Sequence, residues 1–315
     1  MAWYQPRPVT IEDARRATEG LVGIIQHHLK SETGITPYYI IKAGSLGHGT
    51  AVPGEFDLDL VIYTGDIDAD QIAGSRDPYR PWLSKIKELL KRVPDVVLEP
   101  VDPTRPLGHA VHFTYKATVD VDLLITPTWD SPDGYYQFLR GVEERRRFSF
   151  SVGASQWQVE FYSHRPNEVK EYARRAKVWR NKKWPKETGG NGKPKSYFLS
   201  ILVLKAYERA VQSGQQRIAY NTTLELKNLV KNHKTLDIYW EQYYTLASYR
   251  DMIPSPPRII DPANPSNNLY YTGIGRYYPN SKASDYEEGD GDWTLLVRYI
   301  DSIDLTKSVE ELQKA

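Results

Sequence analysis

Cysteine is absent from the 315 residues. That excludes disulfides and thiolate-held zinc and is compatible with a reducing compartment. Long apolar runs are missing too. No stretch approaches the roughly 18 consecutive apolar residues of a membrane-spanning helix, so no membrane partner is expected. The opening MAWYQPRPVTIEDARR lacks the apolar core of a secretory signal, and the expected location is the cytoplasm. Net charge is scarce as well, at +1, so no global field draws the chain toward nucleic acid. No internal repeat is visible. What remains is ordinary for a globular protein, 40% hydrophobic and 26% charged. That composition suits one large domain or two packed lobes.

Periodicity divides the chain in two. Residues 10–31 read as an amphipathic helix, with Thr10 and Asp13 spaced as a capping box. Short β-type runs follow at Tyr38–Ala43 and Asp57–Tyr63, then an amphipathic helix at Pro81–Arg92. Further strands are expected at Val96–Glu99, Ala110–Lys116 and Thr118–Ile125. The second half reads as helices: Arg165–Lys183, with Val169, Tyr172, Ala173, Ala176 and Trp179 on one stripe, then Lys195–Gln212 and residues 221–248. Residues 254–292, rich in Pro, Asn, Gly and Tyr and carrying Asp285, Glu287, Glu288, Asp290 and Asp292, read as irregular loop before a last helix from Trp293. Strands interspersed with helices, then helices, make an α+β protein.

Two features carry chemistry. GSLGHGT, residues 44–50, is a glycine-rich turn, and Asp57-Leu58-Asp59 follows it at the start of an apolar run. Alternating side chains put Asp57 and Asp59 on one face of a strand. Val119-Asp120-Val121-Asp122 does the same for Asp120 and Asp122. Carboxylates on a half-buried sheet are costly unless a cation sits there. Two such strands can converge on Mg²⁺, which takes a few carboxylates together with phosphate oxygens and water. The turn lacks the Lys of a Walker A loop, since Thr50 directly follows Gly49. A backbone nest for a triphosphate tail remains. Residues 165–186 add nine Lys/Arg against two Glu, which is the wall a triphosphate needs.

The turn, the DxD and a further Asp on another strand together resemble the nucleotidyltransferase superfamily. GSLGHGTAVPGEFDLDLVIY, residues 44–63, is similar to the catalytic stretch of the 2′-5′-oligoadenylate synthetases. Arg174-Arg175-Ala176-Lys177-Val178-Trp179, Lys193–Tyr197 with Leu204–Glu208, Arg258–Asn268 (RIIDPANPSNN) and Trp293 resemble later segments of that family in the same order. The resemblance runs from about residue 10 to residue 300 and suggests a member from outside the vertebrates. It implies a two-lobed nucleotidyltransferase: a mixed β-sheet catalytic lobe with flanking helices at residues 1–160, and a mainly helical C-terminal lobe at 161–315 that contributes donor-nucleotide binding.

Residue by residue, the resemblance puts Asp57, Asp59 and Asp122 on the metal-binding and catalytic triad, with two Mg²⁺ ions as cofactor and Mn²⁺ as a substitute. Gly44 and Ser45 fall on the phosphate-gripping turn, Arg174 and Lys177 on the pair that contacts the donor triphosphate, and Tyr197 on the aromatic that packs on the donor base. Ser196 stands where vertebrate synthetases carry Gln. Ser followed by Tyr there resembles the cyclic GMP-AMP synthases. The implied activity is synthesis of 2′-5′-linked oligoadenylates, with ATP as donor and acceptor and pyrophosphate released, in innate immunity. A cyclic dinucleotide made from ATP and GTP is the alternative. Double-stranded RNA is the implied activating partner, with Lys42 and Arg165 as contact positions. Near-zero net charge, and His48, Ser163 and Glu168 where the family has basic residues, point instead to activity without RNA.

Overall fold

A computed structural model describes residues 10–55, 57–75, 77–99, 110–184, 192–214, 216–274 and 293–314. The acidic residues Asp285, Glu287, Glu288, Asp290 and Asp292 lie outside them. The chain divides into two compact units, Met1–Ser163 and His164–Ala315.

In the first unit, α1 (Ile11–Thr33) starts at a capping box. The Thr10 hydroxyl accepts the Asp13 N–H at 3.0 Å, and the Asp13 carboxylate accepts the Thr10 N–H at 3.2 Å. There follow β1 (Pro37–Lys42), α2 (Gly44–Gly47), β2 (Leu58–Thr64), α3 (Ala69–Ala73) and α4 (Arg80–Leu90). Next come β3 (Val96–Leu98), β4 (Ala110–Tyr115), β5 (Val119–Pro127), α5 (Pro132–Gly141), α6 (Glu144–Arg147), a 3₁₀ turn (Phe148–Ala154) and α7 (Ser155–Ser163). The five strands form one sheet in the order β1-β2-β5-β4-β3. The β2–β5 pair is parallel and the other pairs are antiparallel, so the sheet is mixed.

The two faces of this sheet are treated differently, and the sequence shows why. Leu58, Leu60, Ile62, Phe113, Tyr115, Val121, Leu123 and Ile125 alternate onto one face and are buried. Leu21, Ile25 and Leu29 of α1 and Leu83, Ile86, Leu89 and Leu90 of α4 are buried with them. Each such side chain contributes about 1.5–3 kcal/mol. On the other face, the Tyr63 hydroxyl accepts the Gln156 N–H at 3.0 Å and donates to the Gly153 carbonyl at 3.4 Å. The 3₁₀ turn and α7 therefore sit over the far end of β2. The near end of that face carries Asp59, Asp122, Asp120, His112 and Thr114, all half-buried or exposed.

The second unit begins with α8 (Asn167–Lys183), which starts after Pro166 rather than at Arg165. The residue before a proline is disfavoured in helical conformation, which keeps Arg165 out of the helix. The unit continues with α9 (Ser196–Gln212) and α10 (Ile218–Lys231). The helix expected over 221–248 stops early. Asn232 caps it, with its side-chain amide donating to the Asn228 carbonyl at 3.0 Å. The loop expected over 254–292 is also corrected in part. β6 (Asp237–Ile238), β7 (Arg258–Asp261) and β8 (Asn264–Asn268) form a small sheet in that order, followed by α11 (Leu269–Thr272). Then come α12 (Trp293–Tyr299) and α13 (Val309–Lys314). Trp293 anchors α12 by stacking on His233 at 4.6 Å, with Phe198 at 5.4 Å edge-on.

Candidate active site

Asp59 and Asp122 are register partners on adjoining parallel strands. Their neighbours Leu58, Leu60, Val121 and Leu123 are buried on the helix-covered face, so both aspartates project from the other face, one strand spacing apart, about 4.8 Å. Asp57 precedes β2 and is exposed. Asp120 lies further out on the same face as Asp122. Its carboxylate accepts the Thr114 hydroxyl at 3.0 Å. Register thus separates the two β5 aspartates: Asp122, not Asp120, adjoins Asp59.

The glycine turn and the DxD meet at one point. The Ala43 N–H donates to the Asp59 carbonyl at 2.8 Å. A Cβ on Gly44 would fall 1.7 Å from Asp59 Oδ2 and 2.5 Å from its Cγ, and Gly44 has φ +52°. Only glycine fits that conformation with the carboxylate pressed against it. Gly47 is similarly confined, since a Cβ there would meet the Lys42 carbonyl oxygen at 2.3 Å. The expected open nest is a helical turn instead. The N–H groups of Gly47, His48, Gly49 and Thr50 bond to the carbonyls of Ala43, Gly44, Leu46 and Ser45. Helix geometry leaves the N–H groups of Gly44, Ser45 and Leu46 outside that ladder. Ser45 is half-buried at its start. His48 is 7% exposed and stacks on Tyr162 with ring centroids 4.7 Å apart.

One residue of this face went unread in the sequence. His112, on β4 opposite Asp122, places Nδ1 2.5 Å from Asp122 Oδ1. Among the described residues no three His, Asp or Glu side chains converge into a metal cage. A Mg²⁺ ion does not require one, because it is usually held by one or two carboxylates and completed by water and phosphate oxygens. The paired, all-oxygen Asp59 and Asp122 fit that demand, and the carboxylate cradled by Gly44 is a fixed donor.

In the second unit, Arg174 and Lys177 lie one turn apart on α8. Arg174 pairs with Glu171 at 3.2 Å. Three residues apart, Arg174 and Lys177 are expected to share a helix face away from the Val169, Ala173 and Ala176 stripe, but Lys177 is 6% exposed and belongs to the buried set with Ala173 and Ala176. Lys170, one turn before Arg174, has its ammonium pushed below its ordinary value, by burial first and by the Arg174 charge second. Ser196 opens α9, and its hydroxyl takes a hydrogen bond from Arg180 of α8. Half-buried Tyr197 donates its hydroxyl to Asp261 Oδ1 at 3.1 Å. Arg165, just before α8, lies 3.4 Å from Gln242 Oε1. Lys42 ends β1, half-buried, opposite Leu60. The basic cluster Arg145–Arg147 is used within its own unit: Arg145 pairs with Glu143, Arg146 donates to the Ser75 carbonyl, and Arg147 donates to the carbonyls of Leu139 and Val142.

Residues 129–277 match the family model described as 2′-5′-oligoadenylate synthetase 1, domain 2, C-terminus. Over 292 residues, 85% of the chain, identity to 2′-5′-oligoadenylate synthase 3 of Rattus norvegicus is 26%, covering 25% of that protein. Over 261 residues, 73% of the chain, identity to 2′-5′-oligoadenylate synthase 1A of Rattus norvegicus is 27%, covering 70% of it. The chain therefore spans about a quarter of the first relative's length and most of the second's. Among solved structures, that of E. coli MS115-1 CdnC with ATP is similar in fold, with a TM-score of 0.57 at 19% identity, over 92% of this chain and 81% of that one.

Proposed function

We propose that this chain, whose residues 129–277 match the model of the second domain of 2′-5′-oligoadenylate synthetase 1 and whose fold is similar to that of CdnC, makes 2′-5′-linked oligoadenylates from ATP. The observation that carries the reading is the in-register pair Asp59 and Asp122, with the Asp59 carboxylate held against Gly44. A Mg²⁺ ion held by Asp59 and Asp122, joined by Asp57 and in the two-ion form by a second Mg²⁺, would neutralise the triphosphate and acidify the acceptor hydroxyl.

The chain's own residues do the rest. Gly44 and Ser45 offer backbone N–H groups to phosphate oxygens. Arg174 and Lys177 offset triphosphate charge. Tyr197 packs on the donor base. The acceptor ribose 2′-oxygen attacks the α-phosphorus, its proton passes to Asp122 directly or through water, and pyrophosphate leaves. His112 holds Asp122 Oδ1 and so fixes the carboxyl's rotation. The near-zero net charge and the bonds of Arg146 and Arg147 to backbone carbonyls of their own unit favour activity without double-stranded RNA. A second reading, cyclic dinucleotide synthesis from ATP and GTP, is favoured by Ser196 beside Tyr197.

The experiment is incubation of the protein with ATP and Mg²⁺, with and without double-stranded RNA, and typing of products by linkage-specific nucleases. Linear 2′-5′ adenylates without RNA are the expected result. A nuclease-resistant product that needs GTP selects the second reading, and absence of metal-dependent pyrophosphate release overturns both.

A further inference from the structure

The Asp261 side chain is fully buried, at 0% exposure, at the end of β7. A buried carboxyl is costly unless hydrogen bonds satisfy it. Here Oδ1 accepts the Ala263 N–H at 2.9 Å and the Tyr197 hydroxyl at 3.1 Å, and Oδ2 accepts the Asn267 side-chain amide at 3.2 Å. Asn267 is itself oriented, because its Oδ1 accepts the Thr272 hydroxyl at 3.0 Å. The Asp261 backbone is fixed as well, its carbonyl accepting the Tyr244 hydroxyl at 2.9 Å.

Closing the turn between β7 and β8 requires only the contact to Ala263. Of the two remaining contacts, that of Asn267 stays within the hairpin, and that of Tyr197 comes from 64 residues back in sequence, in the first turn of α9. The carboxylate thus grips Tyr197 by its hydroxyl end while the residue stays half-buried. A tyrosine tethered at its tip loses most of its rotamer freedom before any ligand arrives, and that freedom is then not lost on binding.

We infer that Asp261, backed by Asn267, is a positioning residue that presets the Tyr197 ring for a nucleobase, making the β7–β8 hairpin a determinant of base affinity. This rests on the reading of Tyr197 as the aromatic that packs on the donor base. Tyr197→Phe keeps the ring and removes the tether. Binding of ATP and of inorganic tripolyphosphate, both as Mg²⁺ complexes, is measured by titration calorimetry for the wild-type chain, Tyr197→Phe, Asp261→Ala, the double variant and Tyr197→Ala.

Tyr197→Phe and Asp261→Ala are expected to weaken ATP binding about three- to tenfold and to leave tripolyphosphate binding unchanged. The double variant is expected to bind ATP no more weakly than Asp261→Ala alone. Wild-type ATP affinity in Tyr197→Phe overturns the inference, as does equal loss of both ligands. Should Asp261→Ala fail to fold, Tyr197→Phe alone decides. If Tyr197→Ala binds ATP like the wild type, the underlying reading of the base site fails, whereas weakened binding by Tyr197→Ala with unaltered Tyr197→Phe refutes only the role of Asp261.

Discussion

Gly44→Ala tests whether the glycine turn and the aspartates are one device. Two costs add. Gly44 has φ +52°, and a left-handed backbone costs a non-glycine residue about 1–2 kcal/mol. The new Cβ would lie 1.7 Å from Asp59 Oδ2 and 3.1 Å from Asp59 Cβ, so either the carboxylate swings away or the turn moves. Overpacking of this kind costs about 1–3 kcal/mol. The sum is roughly 2–5 kcal/mol, or a fall in melting temperature of about 5–20 °C for a unit of this size. Asp59 is half-buried, and swinging it outward lowers the stability cost but displaces the carboxylate by more than 1 Å. Misplacement on that scale costs about 100-fold in rate.

Gly34→Ala is the control. Gly34 has φ +74° with nothing within 4 Å of the added Cβ, so it carries the backbone cost alone and keeps wild-type turnover. Thermal unfolding and pyrophosphate release from ATP read the two effects. A Gly44→Ala protein no less stable than Gly34→Ala, with wild-type turnover, refutes the apposition of Gly44 and Asp59.

Asp122→Asn should lower pyrophosphate release by at least about 10²–10⁴-fold while moving the melting temperature little, because Asp122 is only half-buried; near wild-type turnover removes it from the site. His112→Ala should cost about 10–100-fold in turnover, as loss of a partner that orients a ligating carboxylate does, and circular dichroism should show an unchanged fold. Asp120→Asn is predicted to leave turnover within about threefold in the same assay, since its hydrogen bond to Thr114 is exposed and surface substitutions of this kind cost under about 0.5 kcal/mol. The β4–β5 turn offers a stability test: Lys116 and Ala117 sit at φ 50° and 54° around the Tyr115–Thr118 hydrogen bond, a type I′ form that prefers Asn-Gly. Lys116→Asn with Ala117→Gly should raise stability by about 1–2 kcal/mol in urea titration without altering turnover.

What could be read in the sequence was what repeats locally. Alternation in DLDLVIY and VDVDLL was enough to put aspartates on one strand face, and the structure keeps those strands within a residue or two of the expected bounds. The register that sets Asp59 beside Asp122 is parallel and 63 positions apart, a non-local pairing that no local pattern encodes. His112 was missed for a related reason. With Tyr115 opposite Val119, counting back puts His112 opposite Asp122, but Lys116-Ala117 carries no turn signature from which to start the count. Lys177 misled because helix periodicity reports which face is apolar, not which charged residue is enclosed.

The β7–β8 hairpin escaped for a different reason. Asn264-Pro265-Ser266-Asn267-Asn268 has the composition of a loop, and its side chains support the backbone pairing with β7. The Asn268 amide oxygen accepts the Ile259 N–H of β7 and the Tyr270 N–H at the start of α11, at 3.0 Å each, and Asn264 Oδ1 accepts the Ser266 N–H at 3.0 Å. Propensity scales count such residues against a strand because their side chains compete with the backbone. In this hairpin that competition holds the backbone in place, and Asn267 of the same strand donates to the Asp261 carboxyl that grips Tyr197.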